Sequence, residues 1–278
     1  MVPKTTTPTE FRALCRSNQF TDNSSGYASG FAQANILILP KEIASDFELL
    51  CKRNPVPCPL LGKTILGSAT QLSCDYLIKD DNFDLRKDLP KYRIFENGEL
   101  LSEKADVLSE WDMSSHIGFL IGCSFSFENA LCKAGLTPRN MVENKNVSMY
   151  QTKKHLDPAG IFTNTTYVVS MRPYKPEDIE TVRDVTRAFT KTHGEPIDWG
   201  YEAIERLGIC DINIPEYGEP ISIHPGEIPV FWGCGVTTQV AALKVSCKIR
   251  GKIMSHSPGH MLILDIKDSE LNRDISSL

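Results

Sequence analysis

Apolar positions in this chain fall into two patterns that alternate along it. Short unbroken apolar runs read as buried strands, and stripes of helical period read as amphipathic helices. Residues 9–20 carry Phe11, Leu14 and Cys15 on one side, a helix with Thr9 as its cap. Residues 36–39 form a buried strand that Pro40 ends. Ile43, Phe47 and Leu50 make the stripe of a helix over 41–51. A strand over 89–95 meets Glu96-Asn97-Gly98-Glu99, a strong hairpin turn, and returns from Leu100. A short helix is expected over 107–113, then a buried strand over 119–121. Beyond Gly122 a helix begins near Phe127 and closes at Gly135–Pro138.

The second half repeats these signals. Residues 146–152 are extended and polar, and 167–173 read as a strand ending in an arginine. Pro176 opens a helix running to residue 192, with Ile179, Val182, Val185, Ala188 and Phe189 as its stripe. Short elements follow: a strand at 196–197, a helix over 201–207 and a strand over 221–224. Strands at 228–232 and 261–266 bracket a helix over 239–243. The strand–helix–strand run from about 165 to 225 is a small α+β unit. The expected fold is α/β: a larger mixed-sheet α/β domain (1–135 plus 227–278) with a smaller inserted α+β domain (136–226).

Composition narrows the partners. A net charge of −5 argues against nucleic-acid and membrane surfaces, and no apolar run reaches bilayer length. The nine cysteines are odd in number, with no CxxC pair and no secretory signal ahead of them, so they read as reduced intracellular thiols. Arg12 and Arg16 with the early threonines faintly suggest a transit peptide, but a helix already starts at residue 9. The cytoplasm is expected, with the mitochondrion as the alternative.

Candidate chemistry gathers at Gly122-Cys123-Ser124-Phe125-Ser126. There a strand turns into a helix that Ser124 or Ser126 can cap. Free N–H groups and the positive end of the helix dipole offer a seat for a carboxylate, and they would draw a thiol pKa down. The competing reading makes Cys123 a core residue and the serines caps. Gly233-Cys234-Gly235 repeats the construction, so two helix N-termini could converge on one ligand. Gln33 and Asn35 share a strand face and either grip a substrate or tie down a loop. Arg53 precedes three prolines that hold it rigidly, for anion binding or as a solvated connector. His256-Ser257-Pro258-Gly259-His260 cannot be helical, so its histidines suit acid–base work or hydrogen bonding rather than a paired metal site.

Taken together, these motifs resemble the D-glutamate cyclase family of hydro-lyases. The matching stretches run in order: Gly30–Asn35 with Ile38-Leu39-Pro40, Arg53-Asn54-Pro55 with Cys58-Pro59-Leu60, and Asp88–Arg93. They continue with Phe119–Glu128, Asn146–Tyr150, Val168–Pro173 and His193-Gly194, and end with Phe231–Thr237 and His256–Met261. The resemblance implies a larger α/β domain carrying a smaller α+β domain. It also implies a lyase of amino-acid metabolism that closes D-glutamate to 5-oxo-D-proline with loss of water. On that footing Arg53, Arg93 and Arg172 are candidate carboxylate clamps. Gln33, Asn35, Ser124, Ser126, Tyr150, Cys234, Gly235 and Thr237 are further substrate contacts, with backbone N–H groups around Cys123 and Cys234 as an oxyanion seat. Glu128, His256 and His260 would move protons, and Cys123 is an alternative nucleophile. The family usually has a basic residue where this chain has Gln151, which points to a changed or weaker substrate. The alternatives are a hydro-lyase for another small amino or hydroxy acid, and a non-catalytic carboxylate-binding protein. No organic cofactor and no metal site is expected, the partner is a small carboxylate, and a homo-oligomer is left open.

Overall fold

The computed structural model describes residues 4–271. The outermost residues assigned above to the larger domain, 1–3 and 272–278, lie outside the described residues. The first helix, α1 (Pro8–Arg16), starts one turn-position earlier than its stripe suggests. Thr7, not Thr9, is the cap: its hydroxyl accepts from the Glu10 N–H while the Glu10 carboxylate returns to the Thr7 N–H. Phe11 and Cys15 pack inward, and the buried Arg12 donates to Ile263 O and the Asp265 carboxylate, both at 2.8 Å.

The larger sheet has seven strands and is organised on β1 (Phe31–Pro40). Along one edge β1 pairs with β5 (His116–Gly122), and β2 (Leu60–Lys63) lies outside β5. Along the other edge β1 is forked. Its first half pairs with β11 (Leu262–Lys267) and its second half with β10 (Ile253–His256). Beyond β10 lies the hairpin of β3 (Tyr92–Glu96) and β4 (Glu99–Lys104), turned by Asn97 and Gly98, both at positive φ. The continuous apolar runs of β1 and β5 follow from cover on both faces. Ile36, Ile38 and Leu120 enter one core, while Leu37, Phe119 and Ile121 enter another with Phe47 and Leu50 of α2 (Ala44–Arg53).

The smaller sheet has four strands in the order β6 (Ser148–His155), β7 (Thr166–Tyr174), β9 (Ile228–Gly233), β8 (Asp198–Trp199). Thus Ile228–Gly233, assigned from sequence to the larger domain, hydrogen-bonds as an inner strand of the second sheet. The helices α4 (Arg139–Glu143), α5 (Ile179–Arg187) and α6 (Glu202–Leu207) accompany this sheet. Two helices join the sheets: α3 (Phe125–Lys133) packs on β1 and α5, and α7 (Val236–Val245) packs on β1, β10 and β7. The α/β class holds, but among the described residues every strand pairing is antiparallel rather than mixed. Three local expectations change. Residues 107–113 and 221–224 form no helix or strand, and the long helix over 176–192 is α5 flanked by 3-10 turns. No helix among the described residues is long and apolar enough to cross a membrane.

His256 explains how β1 can fork. Its Nδ1 lies 3.0 Å from the Ile36 N and 3.1 Å from the Ile36 O, so by its tautomer the imidazole either accepts from the one or donates to the other where β1 changes partners. The Gln239 amide covers the ring at 3.1 Å. The ring is fully buried, and burial pushes its pKa down to about 4. The unfolded chain takes up this proton near pH 6.5 and the folded chain does not. His256 therefore contributes stability above pH 6.5 that is lost as pH falls towards 4, about 3 kcal/mol for a gap of that size. Thermal melts of the native protein and His256→Asn between pH 7.5 and 4.5 should show the native protein losing this increment and the variant lacking it.

Candidate functional site

Two strand ends and two helix starts meet at one small cavity. β5 ends at Gly122 and α3 begins at Phe125, with Cys123-Ser124 between them. β9 ends at Gly233 and α7 begins at Val236, with Cys234-Gly235 between them. Ser124 (φ −61°, ψ −17°) and Gly235 (φ −63°, ψ −19°) have nearly the same backbone conformation, so the two junctions are built alike. Both require glycine through close approach. A Cβ on Gly122 would lie 1.8 Å from the Lys191 carbonyl oxygen, and one on Gly235 would lie 2.1 Å from Asn35 Nδ2. Neither helix has a side-chain cap, which corrects the capping roles expected for Ser124 and Ser126. The N–H of Phe125 is directed to the Cys123 thiol and that of Val236 to the Cys234 thiol.

Asn35, Cys123, Ser124, Cys234 and Gly235 line this cavity, with Phe125, Asn146, Val147, Met149, His193, Val236, Gly259 and Met261. Its volume of about 20 Å³ has room for roughly one water. Asn35 donates to the Gly122 carbonyl at 3.0 Å, tying β1 to the end of β5 at the cavity wall. Burial pushes the Cys123 thiol well up and the Cys234 thiol up to about 11, overriding the lowering expected at a helix start. The Cys234 thiol donates to the Met149 sulfur at 3.5 Å.

His193 stands above only in a family-matching stretch, with no role assigned to it from the sequence. It follows the 3-10 turn Thr190–Thr192 at φ 87°, a left-handed conformation that is strained for a side chain of this size. Its Nδ1 lies 2.7 Å from the Val56 carbonyl, an acceptor only, so Nδ1 carries the proton and donates. Nε2 is then the unprotonated nitrogen; among the described residues no hydrogen bond reaches it, although the Gly122 carbonyl lies close enough to the ring to favour its charged form. Burial pushes the pKa down to about 4 against the opposing pull of the Val56 and Gly122 carbonyls. His193-Gly194 reads in sequence as a helix stop. The available signal was a histidine standing where a left-handed stop favours glycine.

A buried ion pair lies behind the cavity. Arg172 of β7 donates to Glu128 of α3 at 2.8 Å and to the Ser124 hydroxyl at 3.1 Å, with its guanidinium against the Phe127 and Trp232 rings. Glu128 also accepts from Asn140 and Ser25, both at 3.1 Å. Arg172 and Glu128 thus spend their charges on each other and do not line the cavity, unlike the clamp and proton carrier expected.

The other expected site residues lie elsewhere. Gln33 is held by Ser24, and its N–H by Ser126, so both act in loop closure. Thr237 clips α7 to the Val168 backbone at 2.9 Å, and the Tyr150 hydroxyl donates to Ile212 O at 2.6 Å. Arg53 is exposed at the end of α2, and Arg93 pairs with Glu103 at 2.5 Å. His256 serves the β1 fork, and His260 donates to the Pro258 carbonyl at 2.9 Å, with burial lowering its pKa. Gln151 lies half-buried on β6, bonded through its amide to Thr166 and away from the cavity, so it does not alter the cavity wall.

Leaving one charge of the Arg172–Glu128 pair buried alone costs about 3–5 kcal/mol. Urea denaturation of Arg172→Leu should show a loss of that order, with much of it restored in Arg172→Leu/Glu128→Leu.

Comparison with known proteins bears on this geometry. The D-glutamate cyclase family profile matches residues 117–265, which span both junctions. Three relatives named "Putative hydro-lyase" cover nearly the whole chain. That of Schizosaccharomyces pombe is 41% identical over 261 residues, covering 94% of this chain and 85% of the relative. That of Geobacillus kaustophilus is 44% identical over 262 residues, covering 94% and 95%. That of Bacillus subtilis is 42% identical over 264 residues, covering 95% and 98%. A crystal structure of a nitrogen repressor-like protein from Methanococcus jannaschii aligns at TM-score 0.38 and 10% identity, covering 92% of this chain and 94% of that one. A likeness of that size carries nothing over. On the family profile and these identities, the chain belongs to the D-glutamate cyclase family.

Proposed function

We propose that this chain is a hydro-lyase that closes D-glutamate to 5-oxo-D-proline and water in the cavity between α3 and α7. One observation carries the reading: the unpartnered Nε2 of His193 is buried where two helix N-termini meet. Cyclisation needs a base for the ammonium and positive dipoles where the γ-carboxyl gains charge under attack. A neutral imidazole held in one tautomer by Val56 supplies the first, and the starts of α3 and α7 supply the second.

In the reaction the ammonium gives one proton to His193 Nε2. The freed amine attacks the γ-carbon, and the tetrahedral oxygens develop charge facing the helix N-termini. The imidazolium and the new C–N bond's nitrogen then release protons to the departing oxygen. Two ammonium protons and one carboxylate oxygen leave as water, and the net charge of the organic species is unchanged. An anionic substrate facing Nε2 would raise the imidazole pKa above its value in the empty site, making it a stronger base as it binds.

A space for one water cannot hold a five-carbon dicarboxylate, so the cavity has to open. A larger cleft of about 510 Å³ shares Asn146 with it as a wall. That Gln151 lies away from the cavity supports the family substrate over an altered one.

Purified protein should form 5-oxo-D-proline, and no 5-oxo-L-proline, from D-glutamate, followed by chiral chromatography. His193→Asn, which tolerates positive φ, should lower kcat about 10²- to 10⁴-fold without lowering the melting temperature comparably. The native kcat/KM should hold from neutral pH down to an acid limb near pH 4, where His193 becomes protonated in the free enzyme, and the variant should lose that limb. Absence of product from D-glutamate with the protein folded would sink the reading.

A further inference from the structure

The cyclisation chemistry uses His193 and the helix N-termini but gives no task to the two thiols of the cavity. Cys123 and Cys234 hold equivalent places in the two junctions. Each directly follows the last residue of a strand, and each sulfur is met by the N–H two residues on. Both are free cysteines, both are buried, and both line the same small space. Two thiols thus border one space from two different strand–helix junctions.

That placement suits a carbon acid. An α-amino acid whose carboxylate faces these helix N-termini has its α-carbon held between groups that can take and give a proton. One thiol first gives its proton to the unprotonated His193 Nε2 in the same cavity, and the resulting thiolate removes the α-proton. The C–H electron pair moves into the carboxylate as an enediolate, whose charge faces the positive ends of α3 and α7. The opposite thiol returns a proton to the other face, leaving an inverted α-carbon and a thiolate. Thiol and thiolate have exchanged roles, and no oxidant, reductant or further reactant is consumed.

We propose that Cys123 and Cys234 give this site a second activity, the removal and return of the α-proton of a bound α-amino acid of the glutamate type, with inversion. The inference rests on the reading of this cavity as the substrate site, not on cyclisation occurring there.

The test uses the full chain in D2O with D-glutamate and, separately, L-glutamate. The α-proton is followed by proton NMR, and the enantiomers and 5-oxoproline by chiral chromatography, against buffer alone. The native protein should place deuterium at the α-carbon and interconvert the enantiomers. Cys123→Ser and Cys234→Ser should each slow interconversion at least about 100-fold, the scale of one general acid–base group. Each variant should keep α-exchange of one enantiomer, and the two should keep opposite ones, a split that a structural role for the thiols would not produce. Variants with the same loss for both enantiomers overturn the proposal. If the serine variants fail to fold, the native protein decides alone: no α-deuterium in either enantiomer overturns it. 5-Oxoproline without α-exchange overturns this inference and leaves the cyclase reading standing. α-Exchange with inversion but without 5-oxoproline upholds it and sinks the cyclase reading.

Discussion

The buried pair of Arg172 and Glu128 is the interaction on which the rest of the site depends. Arg172 belongs to β7 in the smaller sheet, and Glu128 belongs to α3, which continues from β5 of the larger one. A charge taken out of water is tolerated only when it is paired and hydrogen-bonded. Glu128 meets that demand by drawing in Asn140 and Ser25, and Arg172 by drawing in Ser124 and Ser170. The pair therefore orients the first turn of α3 against the second sheet. Through Ser124 it also reaches the cavity wall, although neither charged group lines it.

The second constraint is steric. The start of α7 can approach β1 only because Gly235 leaves room for the Asn35 amide, and the Lys191–His193 turn can approach β5 only because Gly122 has no Cβ. These two approaches bring His193, Cys123 and Cys234 to one small space. Such a space strips water from everything in it, which is why His193 is neutral and the thiols are pushed up. The same desolvation strengthens helix dipoles and N–H groups acting on a bound anion. The geometry that disfavours charge in the empty site thus favours it for a substrate that brings its own.

Two conserving roles emerge for residues rich in chemical capacity. His256 could move protons in principle, yet its Nδ1 is committed to Ile36, where β1 leaves β11 for β10. Gln33 could bind a ligand, yet both ends of its amide are held by Ser24. In each case a buried backbone or loop group needed a partner, and the side chain supplies it.

Much of the fold was legible in the sequence alone. The runs at Ile36–Leu39 and Phe119–Ile121 announce strands covered on both faces, and the Asn97-Gly98 turn announces its hairpin. The repeated glycine–cysteine junction announces two helix starts, because these signals are local and depend on periodicity and turn chemistry. The family was legible too, since its motifs are read in order along the chain. Only the tertiary structure decided which residues meet. That Ile228–Gly233 joins the second sheet follows from pairing with β7, a partner 54 to 64 residues away. That His193 faces the cavity while Arg53, Arg93, His256 and His260 do not follows from packing between distant segments. Residue type states what a side chain can do. Burial and the nearest partner, set by contacts far apart in sequence, decide which of those capacities remains free.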